Sequence, residues 1–458
     1  MKPKVLTENE ITEILTKVTE QEIEECNAHI LTPLKEMLLV SGSPGGAMVK
    51  DLEGNEYLDC TSQAWTLNVG YVNPDVIYAT QLQAERLTHV RFGYPTIPRI
   101  KLVNKLAQIA PGHLKKVSIQ NQGGSTAIEA AMKLAMINKP GASLFVTHWL
   151  GYHGATLATI SASNWMPNPL IRFPNIGRQH FVKAPYPYCY RCRGQQNPAD
   201  CDLECLHYLR NLIMYGTNAP VAGVIIEPMQ GPGGQVPAPQ RYIEGIRDLC
   251  TELNIPLIWD ESQTAFGRVG RMFAAEIYGV TPDMMVLTKA LGGGLPLGAT
   301  LADEKYGPFT PAEEHSTFGS SPLGMAAALI NIEIIQRLNL PRRAEVLGNH
   351  ISQRLREIQE KTDHIGDVRG PGLFIGIEMV KDKDGKEPAN TLADTIVREG
   401  LKRGVIFDLS MPFMRFLSFQ RNVVKIKPPL IISEEQADKA VDVFEESLNT
   451  ALKDLSVL

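Results

Sequence analysis

Short apolar segments alternate with helix-like segments through the middle of the chain, from about residue 115 to residue 300. The apolar segments are almost continuously hydrophobic, which is typical of parallel strands that are covered by helices on both faces. This alternation predicts a doubly wound α/β domain with a mainly parallel sheet, in which ligands bind at the carboxyl ends of the strands. The predicted strands span residues 116–120, 143–147, 221–227, 255–260 and 284–288.

The segments on either side of this region predict a second, smaller α+β domain. Residues 47–51 and 57–59 alternate in polarity around a turn at Gly54, which indicates a β-hairpin. After residue 320 we expect helices at 323–338, at 342–362 and from Glu434, and strands at 373–380 and 423–426. The predicted domains are residues 1–70 and 326–458 for the two parts of the small domain, and 71–325 for the large domain.

The composition is typical of a soluble globular enzyme. Hydrophobic residues make up 44% of the 458 residues, charged residues 21%, and the net charge is −5. No basic stripe indicates a nucleic-acid partner. The longest apolar runs fall short of the ~18 residues that a membrane span needs. The acid-rich N-terminal stretch lacks the apolar region of a signal peptide, so we expect a cytoplasmic protein.

Four of the seven cysteines lie close together in the sequence. Two pairs with spacings Cys-x2-Cys and Cys-x3-Cys are capable of supplying four thiolates to zinc. The eight residues between the pairs are fewer than in the usual zinc ribbon or finger, and a packed surface segment with reduced thiols is the alternative. A catalytic use is not expected, and we assign no metal to the active site. The four residues are Cys189, Cys192, Cys201 and Cys205.

A lysine and an aspartate stand at the ends of two successive predicted strands. Asp260 closes one strand, and Lys289 follows the next strand, just before a run of glycines. Pyridoxal phosphate needs such a pair, because its aldehyde forms a Schiff base with a lysine amine and an aspartate keeps its pyridine nitrogen protonated. Each residue alone has a common structural explanation, but the pair predicts this cofactor. Lys289, once freed by a substrate amine, is then the expected general base.

A glycine-rich turn at residues 123–125 opens a strong helix after a predicted strand. Free N–H groups at a helix N-terminus suit a phosphate, so Gly123, Gly124 and Ser125 are candidate phosphate ligands. Thr126 and Glu129 also have the spacing of a capping box, which leaves open that this segment only starts a helix well.

Two further strand ends carry candidate cofactor contacts. Tyr152 follows the strand at 143–147 and can stack on a pyridine ring, although an aromatic residue there is more often a packing residue. Glu227 ends the strand at 221–227 and can orient the substrate or bind near Tyr152, although an unpaired glutamate is more often solvated.

These motifs resemble those of the class III (ω-) aminotransferases, a family of fold-type I pyridoxal phosphate enzymes, over nearly the whole chain. The strand followed by Asp-Glu-x-Gln at Asp260, and Lys-Ala-Leu-Gly-Gly-Gly at Lys289, carry the resemblance. It implies that Lys289 forms the Schiff base, that Asp260 pairs with the pyridinium nitrogen, and that Gln263 binds the phenolate oxygen of the cofactor.

The same resemblance assigns the remaining contacts by position. Thr317, in Ser-Thr-Phe-Gly, would reach the phosphate of the neighbouring subunit, which implies a homodimer with its active sites at the interface. Substrate binding is assigned to Trp65 and Lys425. Taken together, the motifs and the resemblance give these candidate cofactor contacts: Gly123, Gly124, Ser125, Tyr152, Glu227, Asp260, Gln263, Lys289 and Thr317.

One departure from the family pattern affects the substrate. The family has an arginine before Pro-Pro-Leu that grips the substrate carboxylate, and this chain has Lys425 in its place. Lysine cannot reproduce the planar, bidentate fork of arginine. Either Lys425 binds a carboxylate less tightly, or the substrate presents another group there. Arg415 or Arg421, on a loop at 411–422, are the candidate substitutes, and both are otherwise ordinary surface residues.

The leading interpretation is an aminotransferase that moves an amino group from an amino acid or ω-amine to a 2-oxo acid or another carbonyl. The alternative on the same scaffold is an amino-acid racemase or epimerase, with a dialkylglycine-type decarboxylase less favoured. A non-catalytic ligand sensor would usually need a fused DNA-binding domain, and a nicotinamide-dependent dehydrogenase would have no use for the aspartate–lysine pair. The residues do not name the donor or the acceptor.

Overall fold

The structure is a computed structural model that describes residues 5–32, 37–164, 178–192, 200–319, 321–410 and 421–456. Within these ranges the strands form a seven-stranded sheet, two four-stranded sheets and one two-stranded sheet. The strands are β1 Leu39–Gly42, β2 Met48–Asp51, β3 Glu56–Asp59, β4 Lys116–Asn121, β5 Leu144–His148, β6 Phe181–Ala184, β7 Val221–Ile226, β8 Met229–Gln230, β9 Val236–Pro237, β10 Leu257–Asp260, β11 Met284–Leu287, β12 Gly298–Ala302, β13 Ile365–Arg369, β14 Ile375–Met379, β15 Val405–Ile406, β16 Asp408–Leu409 and β17 Val423–Ile426.

Helices separate most of these strands. The described α-helices are α1 Glu8–Thr16, α2 Glu20–His29, α3 Pro74–Arg86, α4 Ile97–Ile109, α5 Gly124–Asn138, α6 Leu157–Ala162, α7 Glu204–Tyr215, α8 Gln240–Glu252, α9 Ala274–Tyr278, α10 Pro322–Arg337, α11 Leu340–Glu360, α12 Asn390–Lys402 and α13 Glu434–Ser456.

The seven-stranded sheet has the order β4-β12-β11-β10-β7-β5-β6. Strand β12 runs antiparallel to both of its neighbours, and the other neighbouring pairs are parallel. The predicted mainly parallel α/β sheet is therefore present. The sequence analysis missed β12, because its Gly-Ala-Thr-Leu-Ala sequence is poor in β-branched residues and directly follows a glycine-rich turn.

One of the two four-stranded sheets, β1-β2-β3-β15, joins the N- and C-terminal parts of the chain, and the other is built from C-terminal strands alone. The predicted hairpin is present, because β2 and β3 pair antiparallel, and β15 adds to β3 in parallel from more than 300 residues later. The second sheet has the order β13-β14-β17-β16. The domain boundaries at residues 70 and 325 stay a prediction.

Several helix starts follow from the local sequence. Thr7 and Thr19 form capping boxes with Glu10 and Glu22, so the acidic N-terminal stretch folds as two short helices, α1 and α2. Ser321 caps α10 by accepting from the N–H of Gly324, directly before a proline that suits the first helical position.

In the part of the chain that the structure describes, no single helix is long and apolar enough to cross a bilayer. Helices α10 and α11 reach the length and hydrophobicity of a membrane span only when they are taken together, and the pair is bent by 61°. All seven cysteines are free thiols. Among the described residues, no group of three or more histidine, cysteine, aspartate or glutamate side chains has a geometry that could hold a metal ion.

Candidate active site

Lys289 lies at the carboxyl edge of the large sheet, two residues after the end of β11. It begins a short 3₁₀ turn, Lys289–Gly292, and its φ of 48° is uncommon for a residue other than glycine. Burial and the charge of Lys425 lower the pKa of Lys289, whereas Asp260 and Glu227 act in the opposite direction. A lysine with a lowered pKa more readily presents the neutral amine that a nucleophile or a base requires.

Asp260 closes the neighbouring strand β10 and is almost completely buried. Its Oδ2 lies 2.9 Å from Nδ1 of His153, and its Oδ1 accepts from the backbone N–H of Ser262 at 3.0 Å. Burial alone would raise the pKa of Asp260, but the hydrogen bond and the charge of His153 lower it. The carboxylate is therefore held in its ionised form, as a partner for a cationic ring nitrogen.

A cavity of ≈ 330 Å³ opens between these two residues, within the range of ~300–1,000 Å³ that is usual for small-molecule sites. It contains most of the predicted cofactor contacts together with residues from the turns after β5 and β11. Its lining is Thr66, Gly123, Gly124, Ser125, Tyr152, His153, Gly154, Asp260, Ser262, Thr288, Lys289, Gly294, Leu295, Pro296 and Leu297.

The N-terminus of α5 points into this cavity without a side-chain cap. The predicted capping box at Thr126 and Glu129 is wrong, because Gly123 is the N-cap and the Thr126 hydroxyl donates back to its carbonyl at 3.0 Å. Glu129 instead accepts a hydrogen bond from Thr156. The first N–H groups of the helix therefore remain for a ligand, and a Cβ on Gly123 would meet nothing within 4 Å.

Glu227 and Gln263 stand behind the cavity wall rather than in it. Glu227 accepts from the backbone N–H groups of Tyr152 at 2.9 Å and Gly231 at 3.1 Å. Burial, with the charge of Asp260, raises the pKa of Glu227 to about 8. The Oε1 atom of Gln263 is buried without a hydrogen-bond partner among the described residues, as expected of a group that awaits a ligand.

Trp65 and Lys425 lie on the other side of Lys289. The ammonium of Lys289 is 5.3 Å from the centre of the Trp65 ring, and the ammonium of Lys425 is 5.0 Å from it. Lys425 also lies 3.1 Å from a carboxylate oxygen of Asp408, the residue opposite to it in the β16–β17 ladder. The lysine that replaces the family's arginine is therefore already partly neutralised.

Two other candidate residues, Thr317 and Arg421, are not among the residues that line the cavity. Thr317 is exposed and is not part of the lining. Arg421 forms an ion pair with Asp394 at 2.6 Å, which argues against a substrate role for Arg421. Arg415 lies outside the described residues. The structure thus brings together Gly123, Gly124, Ser125, Tyr152, Asp260 and Lys289 around one cavity, with Glu227 and Gln263 behind it.

Pyridoxal phosphate fits this set of residues. The uncapped start of α5 suits its phosphate, the buried and ionised Asp260 suits its ring nitrogen, and Lys289 suits its aldehyde. The buried Oε1 atom of Gln263, which has no partner among the described residues, is a further candidate polar contact. Fold and site together define a fold-type I enzyme that depends on pyridoxal phosphate.

Comparisons with known proteins agree with this class. The sequence model of the family described as aminotransferase class-III matches residues 33–448. A leucine/methionine racemase of Thermococcus litoralis is 35% identical over 90% of this chain and 90% of its own length. An adenosylmethionine-8-amino-7-oxononanoate aminotransferase of Geobacter sulfurreducens is 35% identical over 92% of this chain and 95% of its own.

A solved structure is similar over most of its length. An ω-transaminase from Pseudomonas jessenii in complex with PMP superposes with a TM-score of 0.84, at 26% identity, over 94% of this chain and 98% of that one. The chain belongs to the class III aminotransferases. The predicted family, fold class, cofactor and aminotransferase activity are confirmed, while the roles of individual residues stay predictions.

The sequence analysis missed the groups that support the predicted residues. His153 directly follows Tyr152 in the sequence, but no pattern connects it to Asp260, which is 107 residues away in sequence. The sequence analysis also missed Asp408 and Lys427, which pair with each other at 2.9 Å next to Trp65. One signal was present, because Lys425 and Lys427 are two residues apart and therefore share a face of a strand.

Proposed function

We propose that this enzyme transfers an amino group between a carboxylate-bearing amine and a 2-oxo acid, with Lys289 as the residue that binds the cofactor and moves the proton. The observation that carries the proposal is the cavity in which Lys289, Asp260 and the uncapped start of α5 converge. The aminotransferase name of a relative that matches nearly end to end supports it.

Each residue of the cavity has a distinct task in this proposal. When bound, pyridoxal phosphate would supply an aldehyde that reacts with amines and a ring that withdraws electrons from the carbon next to the nitrogen. Asp260, kept ionised by His153, holds the proton on the ring nitrogen. The Lys289 amine takes the proton from the substrate α-carbon and returns it at a neighbouring atom. Tyr152 covers one face of the site and thereby limits the access of water.

The charged residues beside Trp65 affect which substrates the site prefers. Lys425 and Lys427 share the single carboxylate of Asp408, so this trio carries one net positive charge next to Lys289. A net positive charge attracts a substrate carboxylate, but a lysine that is engaged with Asp408 cannot clamp it with two parallel hydrogen bonds. We therefore expect the enzyme to prefer donors with a carboxylate over donors without one, but by a smaller factor in kcat/KM than a site with arginine at this position.

The proposed assembly is a homodimer whose partner completes each active site. Thr317 is exposed, and its neighbour Phe318 exposes 65% of its surface, so this segment presents apolar area to a second copy. Phe318 packs against His89, and Phe92 packs against His315. The proposed location is the cytoplasm, and the seven free thiols agree with a reducing compartment.

A racemase is the second candidate, because a relative with 35% identity over 90% of both chains carries that name. A racemase and an aminotransferase need the same contacts to the cofactor. They differ in whether the proton that Lys289 removes returns to the α-carbon or moves to another atom. Because both reactions use the same cavity residues, the fate of this proton is the measurement that separates them.

The deciding experiment follows the visible absorption band of the purified protein in deuterated buffer, with one amino acid or ω-amine at a time and no acceptor. Transamination converts the band and releases one equivalent of oxo product per active site. Racemisation preserves the band and places deuterium on the α-carbon. Lys289→Ala is the control, which we expect to retain the cofactor non-covalently while turnover falls by several orders of magnitude. Full activity of Lys289→Ala would overturn the proposal.

A further inference from the structure

Residues Ser62–Trp65 form a left-handed turn, which is an uncommon conformation for residues other than glycine. Their φ angles are 48°, 43°, 62° and 67°. The N–H groups of Trp65 and Thr66 donate to carbonyl oxygens four residues back, at 3.2 and 2.9 Å, as in one turn of a left-handed helix. Four such residues in succession are sterically costly, so the surroundings must hold the turn in place.

Lys427 holds this turn through both its backbone and its side chain. Its N–H donates to the carbonyl of Cys60 at 2.9 Å, and its carbonyl accepts from the hydroxyl of Ser62 at 2.8 Å. Its ammonium donates to the carbonyl of Thr61 at 3.2 Å. Lys427 is therefore joined to three successive residues at the entrance of the turn.

The same ammonium lies over the indole of Trp65. It is 3.7 Å from the ring centre, closer than the ammonium groups of Lys425 at 5.0 Å and Lys289 at 5.3 Å. A desolvated ammonium at this distance from an indole face is strongly attracted to it. The side chain of Lys427 has no exposed surface, so it is not available to bind a substrate itself.

Asp408 directs this ammonium toward the ring. Its carboxylate lies 2.9 Å from the ammonium of Lys427 and 3.1 Å from that of Lys425. Burial opposes ionisation, but the two lysines hold the pKa of Asp408 well below its usual range. The ammonium of Lys427 thus has a carboxylate, a carbonyl and a π face as partners, which matches its three N–H donors.

We propose that Lys427 is a positioning residue for the amino-transfer site: its ammonium, anchored by Asp408 and Thr61, fixes the indole of Trp65 against Lys289. The catalytic consequence rests on the proposed function, whereas the geometric role of Lys427 does not. An indole that is held in this way forms a fixed wall beside the amine of Lys289. Without the ammonium of Lys427, the turn keeps its backbone hydrogen bonds to residue 427 but loses the side-chain contacts, and the wall becomes mobile.

A double-mutant comparison tests whether Lys427 acts through Trp65. Lys427→Met removes the charge and keeps an unbranched chain of similar length. With an ω-amine donor that lacks a carboxylate, so that the net charge beside Lys289 does not affect binding, we expect it to lower kcat/KM for the donor half-reaction on the order of tenfold when Trp65 is present, and less than twofold in the Trp65→Leu background. Lys381→Met, at an exposed ion pair with Glu387, is the matched control and should stay within twofold of the parent protein. An equal factor in both backgrounds would overturn the proposal.

A second measurement does not depend on the reaction. The tryptophan emission of the cofactor-free protein should change with Lys427→Met when Trp65 is present, and should not change in the Trp65→Leu background. If the parent protein transfers no amino group with any donor, the proposed function fails, and the emission still decides the role of Lys427. If Lys427→Met does not fold, Lys427→Gln takes its place, since its amide keeps donors for Asp408 and Thr61 without a charge over the ring. Unchanged emission with a folded variant contradicts the inference.

Discussion

The Nδ1 atom of His153 lies 2.9 Å from the Oδ2 atom of Asp260, and both side chains are almost completely buried. Because the carboxylate accepts, Nδ1 carries a proton, and Nε2 is the other ring nitrogen. That Nε2 atom is buried with no partner among the described residues. His153 is therefore the group that orients Asp260 and keeps it ionised behind the cofactor site.

His153→Leu should weaken the enzyme by removing this hydrogen bond. Hydrogen bonds to charged groups contribute about 1.5–3 kcal/mol, so we expect kcat/KM to fall by about tenfold to a hundredfold. The pKa of Asp260 should rise, because burial then acts without the opposing effect of His153. His153→Asn is the matched control, since its amide nitrogen can donate from nearly the same place and should restore much of the activity. A leucine variant with parental kinetics would show that Asp260 does not need His153.

Gly231→Ala should disturb the site by displacing Gln263. A Cβ on Gly231 would lie 1.5 Å from Oε1 of Gln263, which is the end of a flexible side chain. We therefore expect a small loss of stability but a change in activity and in the visible absorption band like that of Gln263→Ala. Steady-state kinetics and absorption spectra of both variants provide the comparison.

The double variant Gly231→Ala/Gln263→Ala shows whether Gly231→Ala acts by displacing Gln263 or by disturbing the surrounding structure. If Gly231→Ala acts only through Gln263, adding it to Gln263→Ala should change kcat/KM by less than twofold, because the displaced atom is already gone. Two effects that multiply in the double variant would show that the backbone at Gly231 has moved as well.

The sequence was sufficient to predict that Asp260 and Lys289 lie close together. Both stand at the ends of strongly apolar strands, and this apolar pattern is typical of parallel strands. Parallel strands bring their carboxyl ends to one edge, so residues far apart in sequence meet without further information. The turn at Gly123, a candidate site for the phosphate, was predicted in the same way, although the choice between Gly123 and Thr126 as the helix cap depended on backbone geometry.

The contacts that hold Trp65 in place could not be predicted from the sequence, for a physical reason. They join a turn at residues 61–65 to strands that lie more than 340 residues later, and no periodic pattern records such a contact. The left-handed conformation of Ser62–Trp65 also contradicts local propensity, since none of its residues is glycine. Tertiary contacts decide the structure there.

Lys425→Met should weaken the binding of donors that carry a carboxylate more than the binding of donors that lack one. The variant removes one of two ammonium groups that share Asp408, so the trio changes from one net positive charge to none. We expect KM to rise about tenfold for donors with a carboxylate and to change less than twofold for ω-amines that lack one. Steady-state KM values for matched pairs of donors measure this difference. An equal rise for both kinds of donor would mean that Lys425 supports the fold rather than the substrate.

His148 should make the stability of the protein depend on pH. It is buried, its Nε2 lies 3.0 Å from the hydroxyl of Tyr242, and burial lowers its pKa from 6.5 to about 3. Above pH 6.5 both the folded and the unfolded chain hold His148 neutral, so it has no effect there. As the pH falls below 6.5, the unfolded chain takes up a proton that the folded chain refuses. The free energy of unfolding should then fall by about 1.4 kcal/mol per pH unit from this residue.

His148→Gln removes this titration and keeps a group that can hydrogen-bond. Denaturant unfolding of the parent and the variant between pH 5 and pH 8 should give a difference that is constant above pH 6.5 and shifts in favour of the variant below it. His29→Gln, on the exposed helix α2, is the control and should follow the parent at every pH. Parallel curves for the parent and His148→Gln would mean that the folded chain accepts a proton on His148 as readily as the unfolded chain does.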